Sequence, residues 1–143
     1  MSIHIRNTDY LNNHYVFFDR KLYFQKCIDE LSKTKLPSTV YVFSDDMDES
    51  IKSYDVFLKS YFKDIVYVNG NDELTDLLMM SKFKTRILIN STYSYWAGFI
   101  GTTYIPDSYL TTFVPSYFDN NDKMNNLLGI HVNPLWRLID VSN

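Results

Sequence analysis

The sequence predicts an α/β domain with a mainly parallel sheet and helices on both of its faces. Short apolar runs of strand length alternate with segments of helical periodicity, which is the pattern of successive βαβ units. The 143 residues suit one domain, and a chain of this size can bury a core of its own. With 45% hydrophobic and 22% charged residues, the composition is that of an ordinary globular protein.

The first half of the chain predicts two strands and two helices. Residues 2–6 alternate apolar and polar side chains, as a strand does. Asp19 stands where an N-cap would stand, before a helix with one apolar face. That face repeats at i, i+3, i+4 and i+7 through Phe24, Cys27, Ile28 and Leu31. Residues 39–43 are typical of a buried strand, and residues 51–62 predict a helix with Val56, Phe57 and Tyr61 inward.

The second half continues the alternation. Residues 65–68 predict a third strand, and Asp72 is placed to cap the helix that follows it. Residues 86–89 predict a fourth strand, followed by a helix that starts near Tyr93 and ends at Gly101. Three shorter elements are expected near the end: strands over 103–105 and 112–114, and a polar loop or short helix over 119–126.

Charge and cysteine content exclude several classes of protein. A net charge of −3 argues against nucleic acid as the main partner, although a single nucleotide needs only one or two well-placed cations. The lone Cys27 excludes an internal disulfide, and no apolar run is long enough to span a bilayer. Residues 1–10 carry His4, Arg6 and Asp9 and do not resemble a signal peptide. We therefore expect a cytoplasmic protein, or a fragment that lacks its targeting region.

Three turns follow predicted strands and are the expected places for a ligand: residues 6–9, 44–46 and 90–92. His4 and Arg6 are two positions apart on a strand, so their side chains share a face. Arginine offers a planar fork of donors that suits phosphate oxygens, and Asp9 could orient it. The alternative is a solvated edge strand with an Arg6–Asp9 ion pair. The spacing leaves both interpretations open.

Two later segments carry further candidate groups. The carboxylate of Asp76 could accept N–H donors from a guanine edge, or it could be a solvated helix residue. Residues 90–96 place hydroxyl side chains at the start of a helix, where backbone N–H groups bind anions. The alternative there is a plain N-cap formed by Ser91 or Thr92.

An acidic group of Asp45, Asp46 and Asp48 follows the second strand. Such groups bind Mg²⁺ or Mn²⁺ in many nucleotide-sugar enzymes. We favour an acidic turn that caps a helix, because no second cluster supplies further ligands. No His/Cys spacing suggests zinc, and no glycine-rich phosphate loop is present.

Taken in order, several segments resemble the motifs of the α-1,2-fucosyltransferase family. Residues 3–10 resemble its His-x-Arg-Arg-Gly-Asp-Tyr motif, and residues 41–46 resemble its second strand with a Ser-Asp-Asp turn. Residues 76–81 are similar to its Asp-leucine-methionine-serine helix, and 89–98 to its Asn-Ser-Ser-Phe-Ser-Trp-Trp-Gly-Ala segment. Residues 114–118 and 134–136 resemble its C-terminal Pro-x-x-Trp-Phe and Pro-x-x-Trp pieces. The match keeps order and spacing over nearly the whole chain.

The resemblance implies a Rossmann-like domain over residues 1–143, the C-terminal half of a two-domain GT-B glycosyltransferase whose N-terminal acceptor domain is absent. Family members use GDP-β-L-fucose as donor, invert the anomeric centre, and need neither metal nor cofactor. The implied activity is transfer of L-fucose to the 2-hydroxyl of a galactoside-type glycan, in membrane glycan synthesis. The implied partners are GDP-fucose, that acceptor, and a missing N-terminal domain or second chain.

The resemblance also assigns roles to residues. Arg6 would be catalytic and hold the β-phosphate, with Asp9 beside it, while His4 and Asp76 would contact the guanosine. The phosphate and ribose side would be lined by Ser91, Thr92 and Ser94. Asn7 replaces the family's second arginine, which removes charge at the diphosphate. Thr8 replaces its glycine, as in α-1,6 members. The alternatives are a non-catalytic or split-gene remnant that binds nucleotide sugars, and an unrelated α/β domain that acts through protein contacts.

Overall fold

The computed structural model describes residues 1–8, 18–117, 133 and 135–141. The strands in this part of the chain are β1 (Ser2–Ile5), β2 (Thr39–Ser44), β3 (Asp64–Tyr67), β4 (Thr85–Ile87), β5 (Thr111–Pro115) and β6 (Trp136–Ile139). The helices are α1 (Arg20–Ser32), α2 (Met47–Lys59), α3 (Glu73–Ser81) and α4 (Thr92–Tyr104), with a short 3-10 turn at Asp107–Tyr109. Among the residues described, no helix has both the length and the apolar character to cross a membrane.

The six strands form one sheet in the order β3-β2-β1-β4-β5-β6, and its neighbouring strands are parallel. This is the doubly wound order of Rossmann-like folds, in which the direction of winding reverses between β1 and β4. The predicted α/β fold with a parallel sheet is therefore confirmed. Ligands of such sheets bind in the crevice outside the carboxyl ends of the strands at this reversal.

Apolar side chains cover both faces of the sheet, because neighbouring residues of a strand point to opposite faces. On one face, Ile3, Val42 and Ile87 pack into a cluster with residues of α1 and α2. On the other face, Phe43 packs with Met80 of α3 and Ala97 of α4. Further along this second face, α4 contributes to a cluster with members from β5 and β6: Leu88, Tyr95, Val114 and Trp136.

Aspartates begin three of the helices. Asp19 accepts hydrogen bonds from the backbone N–H groups of Lys21 and Leu22, and Asp72 accepts one from Thr75, so both predicted N-caps are confirmed. Asp46 caps α2, which therefore begins at Met47 and not at residue 51. The predicted inward face of α2 was wrong at Val56, whose side chain is 84% exposed.

Helix α4 continues to Tyr104, so the predicted end at Gly101 and the predicted strand over 103–105 were wrong. Gly101 lies inside this helix, at a position where a larger residue would not fit. A Cβ there would lie 1.5 Å from Nη1 of Arg86. The predicted strand over 112–114 corresponds to β5. Residues 119–126 lie outside the described residues.

Arg86 of β4 is completely buried and links three elements. Its Nη2 donates to the Thr112 hydroxyl at 2.9 Å, and its Nη1 donates to the carbonyls of Ser81 at 3.2 Å and Ala97 at 3.3 Å. Burial lowers the pKa of this guanidinium to about 10, so it is still a cation at pH 7. Arg86 therefore joins α3, α4 and β5 through hydrogen bonds in the protein interior.

Candidate functional site

A cleft of about 430 Å³ opens at the carboxyl ends of β1 and β2. The N-terminal ends of α3 and α4 form its far side. Its lining is mostly polar and consists of His4, Arg6, Thr8, Phe43, Ser44, Asp45, Asn71, Asp72, Glu73, Asp76 and Tyr93. The predicted ligand residues His4, Arg6 and Asp76, which are far apart in the sequence, thus share one cavity.

Arg6 follows the last residue of β1 and carries the cation of the cleft wall. Its Nε lies 3.2 Å from Oδ2 of Asp45, and its side chain is 27% exposed. The ion pair predicted as the alternative joined Arg6 to Asp9, which lies outside the described residues. The structure gives Arg6 a carboxylate partner from the β2–α2 turn, 39 positions further along the chain.

Asp45 organises the loop that follows β1. Its carboxylate accepts hydrogen bonds from the backbone N–H of Asn7 at 2.7 Å, the backbone N–H of Thr8 at 3.1 Å and the Thr8 hydroxyl at 2.5 Å. Burial alone would raise the pKa of this carboxyl, but the hydrogen bonds from Thr8 and Asn7 and the charge of Arg6 bring it below its usual value. Asp45 is therefore ionised at neutral pH and fixes both the loop and Arg6.

The acidic residues after β2 do not act as a group. Asp45 turns toward β1, whereas Asp46 caps α2 by accepting from the Glu49 N–H at 3.0 Å. Among the described residues, no three metal-ligating side chains come together. The capping role expected for this turn is confirmed at Asp46.

Asn7, the residue in place of the family's second arginine, points away from the cleft. It is 1% exposed. Its side-chain amide donates to the Ser50 hydroxyl at 2.8 Å and to the Asp46 carbonyl at 3.2 Å. Asn7 therefore links the end of β1 to the start of α2, and its role in the fold is structural.

His4 is a neutral wall of the cleft. Only 3% of it is exposed, and its Nδ1 is hydrogen-bonded to the Ser94 hydroxyl of α4. Burial lowers the His4 pKa to about 4, with Asp45 raising it and Arg6 lowering it by smaller amounts. At neutral pH the ring carries no charge, and Ser94 fixes its orientation from behind.

Tyr93 forms an aromatic wall that the sequence analysis did not single out. Its hydroxyl donates to the Glu73 carbonyl at 2.5 Å, which joins the starts of α4 and α3. Its ring centroid lies 5.5 Å from that of His4. Burial, together with the charges of Asp76 and Glu73, raises the Tyr93 pKa to about 12. The sequence signal that could have identified Tyr93 is an aromatic residue among hydroxyl residues directly after a strand.

Asp76 lies on the α3 side of the cleft, and its carboxylate accepts from the Asn71 side-chain amide at 2.9 Å. The residue is partly exposed and lines the cleft. This position is compatible with the predicted contact to a base.

The hydroxyl residues at the start of α4 do not act together. Ser94 is fully buried against His4, and Ser91 occupies the N-cap position without a side-chain capping bond. Thr92 borders a separate apolar hollow of about 320 Å³ with Tyr95, Trp96 and Phe99. The N-cap position considered for Ser91 is therefore confirmed, although its side chain makes no capping hydrogen bond. The donor contacts of Ser91, Thr92 and Ser94 stay predictions.

The sequence is similar to one protein family and to two characterised glycosyltransferases. The family model described as glycosyl transferase family 11 matches residues 1–114. An α-1,2-colitosyltransferase of Escherichia coli is 31% identical over 106 residues, which is 70% of this chain and 36% of that protein. The O-antigen biosynthesis glycosyltransferase WbnK of Escherichia coli is 33% identical over 109 residues, 71% of this chain and 34% of that protein. No solved structure gives a significant match.

Proposed function

The chain belongs to glycosyl transferase family 11, and from this premise we propose that its cleft binds the nucleoside diphosphate of a sugar-nucleotide donor, GDP-fucose. The matched region spans about a third of the length of the curated relatives. The proposal for this chain is therefore a donor-binding domain, with the acceptor site contributed by a further domain or a second chain.

One observation carries the proposal: an oriented arginine lies on the wall of a polar cleft at the reversal point of the sheet. Arg6 offers the planar donor fork that suits phosphate oxygens, and its partner Asp45 keeps it directed along the wall. The N-terminal end of α4 borders the same cleft and adds a positive dipole end, whereas the start of α3 contributes the carboxylates Asp72, Glu73 and Asp76 to the lining. We therefore assign the diphosphate to the part of the cleft at Arg6 and not to its α3 side.

The far side of the cleft supports a guanine base. His4 is neutral and Tyr93 presents an aromatic ring, so both can contact a flat heterocycle. The Asp76 carboxylate accepts hydrogen bonds, and guanine offers two adjacent N–H groups on its Watson–Crick edge. Adenine offers no such pair of donors to a carboxylate.

The proposed reaction is transfer of L-fucose with inversion to the 2-hydroxyl of a galactoside. The bond from the sugar C1 to the β-phosphate oxygen breaks, and a bond from C1 to the acceptor oxygen forms on the opposite face. The acceptor proton passes to a general base, which we expect in the domain or chain that binds the acceptor. Arg6 stabilises the negative charge that grows on the departing diphosphate, so no metal or cofactor enters the proposal.

A titration of the chain with GDP and with GDP-fucose tests this proposal. We expect binding in the micromolar to millimolar range, and Arg6→Ala should weaken it by about 10- to 100-fold, the value of a charge-assisted hydrogen bond. Lys63→Ala removes one cation from an exposed position and is the matched control, with no change expected. Absence of binding at millimolar donor would contradict the proposal. GDP-colitose in competition tests the sugar, since one relative is named a colitosyltransferase.

Binding without catalysis is a second candidate, because Asn7, in place of a second arginine, is bonded to Ser50 of α2 and Arg6 is the sole cation among the described residues that line the cleft. It predicts GDP binding that depends on Arg6, together with no transfer to lactose or N-acetyllactosamine. Radiolabelled GDP-fucose separates the two: labelled product from the chain alone contradicts this candidate. An α/β domain that acts only through protein contacts would leave GDP titrations blank in every variant.

A further inference from the structure

Arg20, the first residue of α1, reaches back to the end of β1. Its Nη1 donates to the main-chain carbonyl of Arg6 at 2.5 Å and lies 3.4 Å from the side-chain oxygen of Asn7. The contact spans 14 positions of the chain and ties the N-terminus of α1 to the backbone that carries the cleft cation.

The helix itself gives no reason for a cation at this position. A positive charge at a helix N-terminus opposes the helix dipole, and no acidic residue follows Arg20 in the first turn of α1. Glu49 of α2 is close enough to interact with this charge. Asp19 already caps the helix through the N–H groups of Lys21 and Leu22. The contact of Arg20 with the end of β1 therefore accounts for its position better than helix stability does.

Arg20 does not line the cleft but contacts the backbone of Arg6, which does. Asp45 holds the Arg6 side chain at Nε and the next two backbone N–H groups, while Asn7 is fixed on α2 through Ser50. The Arg20 guanidinium adds a bond to the Arg6 carbonyl itself. Fixing this peptide limits the rotation of the Arg6 backbone, and with it the direction of the Arg6 side chain.

We propose that Arg20 is a positioning residue for the donor diphosphate, acting through the backbone of Arg6. The inference rests on the proposed function, since it requires a phosphate at Arg6. Arg20 is partly buried and is absent from the cleft lining, so its effect passes through Arg6 and not through its own contact with the ligand.

A double-mutant cycle tests this route. GDP affinity is measured by NMR titration, which reaches millimolar dissociation constants, for the wild type, Arg20→Met, Arg6→Ala and the double variant. We expect Arg20→Met to weaken GDP about fivefold, the value of one net hydrogen bond, and to cause no further loss when Arg6 is alanine. Lys21→Met removes the same charge from the neighbouring exposed residue and should leave the affinity unchanged.

The outcomes separate this inference from the proposed function. An equal loss from Arg20→Met in both backgrounds, or no loss in either, overturns the positioning role while Arg6 still binds the donor. Unchanged affinity in Arg6→Ala overturns the proposed function itself. Arg20→Lys keeps the charge without the planar fork and should recover part of the affinity. It also carries the test if thermal melting shows that Arg20→Met unfolds.

Discussion

Arg6 follows β1 and Arg86 lies on the neighbouring parallel strand β4, and the two side chains are held in opposite ways. Arg6 follows the carboxyl end of β1, is partly exposed, and pairs with a carboxylate on a cleft wall. Arg86 lies opposite Ser2 at the other end of β1, is fully buried, and donates to a hydroxyl and two backbone carbonyls. One arginine thus lines a cavity, whereas the other stabilises the protein interior.

The difference shows what separates a binding cation from a structural one. The donors of Arg86 meet neutral oxygens at fixed positions, and the packing around it leaves no room even for a Cβ at Gly101. Arg6 faces a cavity, and its ionised partner Asp45 orients it. An anionic ligand can reach only the second arrangement.

The largest effect that would test this difference comes from Arg86→Met. Removing the guanidinium leaves the Thr112 hydroxyl and the carbonyls of Ser81 and Ala97 buried without their donor, at a cost of about 4 kcal/mol in the free energy of unfolding. Urea denaturation measures it. GDP affinity per folded molecule should stay as in the wild type, in contrast to Arg6→Ala, which should lose affinity and keep its stability. The reverse pattern would refute the assignment.

The next largest effect is expected from His4, which is buried in the wall of the same cleft as Arg6 and should make the stability depend on pH. The His4 pKa is lowered from 6.5 to about 4 in the folded chain, so the unfolded chain binds more protons between these values. The stability that neutral His4 contributes is present above pH 6.5 and is lost as the pH falls toward 4, by about 3 kcal/mol.

The His4→Gln variant isolates this term, because the other acidic groups titrate in both proteins. Urea unfolding from pH 7 to pH 4 should show a shallower loss for His4→Gln than for the wild type. Parallel curves would mean that His4 is not buried in its neutral form.

A smaller effect is expected from Gly101→Ala. The added Cβ would lie 1.5 Å from Nη1 of Arg86 and 2.7 Å from the Ser81 carbonyl, so the helix or the arginine must shift. The clash should exceed the gain in helix propensity and cost about 2 kcal/mol. The same substitution combined with Arg86→Met should cost much less, because the flexible thioether can give way. Equal costs in both backgrounds would show that the two residues are not coupled.

Local patterns in the sequence were sufficient for most of the fold. The strands around residues 39–43 and 65–68 and the caps at Asp19 and Asp72 follow from short-range periodicity and side-chain chemistry, and the structure agrees. The predicted end of α4 at Gly101 was wrong, because a glycine that allows close packing inside a helix has the same sequence signal as a glycine that ends one.

The sequence by itself determined the alternation of strands and helices, the family, and an opening strand that carries His4, although this strand ends at Ile5 and leaves Arg6 just after it. The tertiary structure decided which groups meet there. Strand β1 lies between β2 and β4, and this order brings Asp45 to Arg6 and Ser94 to His4 across 39 and 90 positions of the chain. Periodicity indicates which face a side chain takes but not its neighbours on that face, since these depend on the order of strands in the sheet.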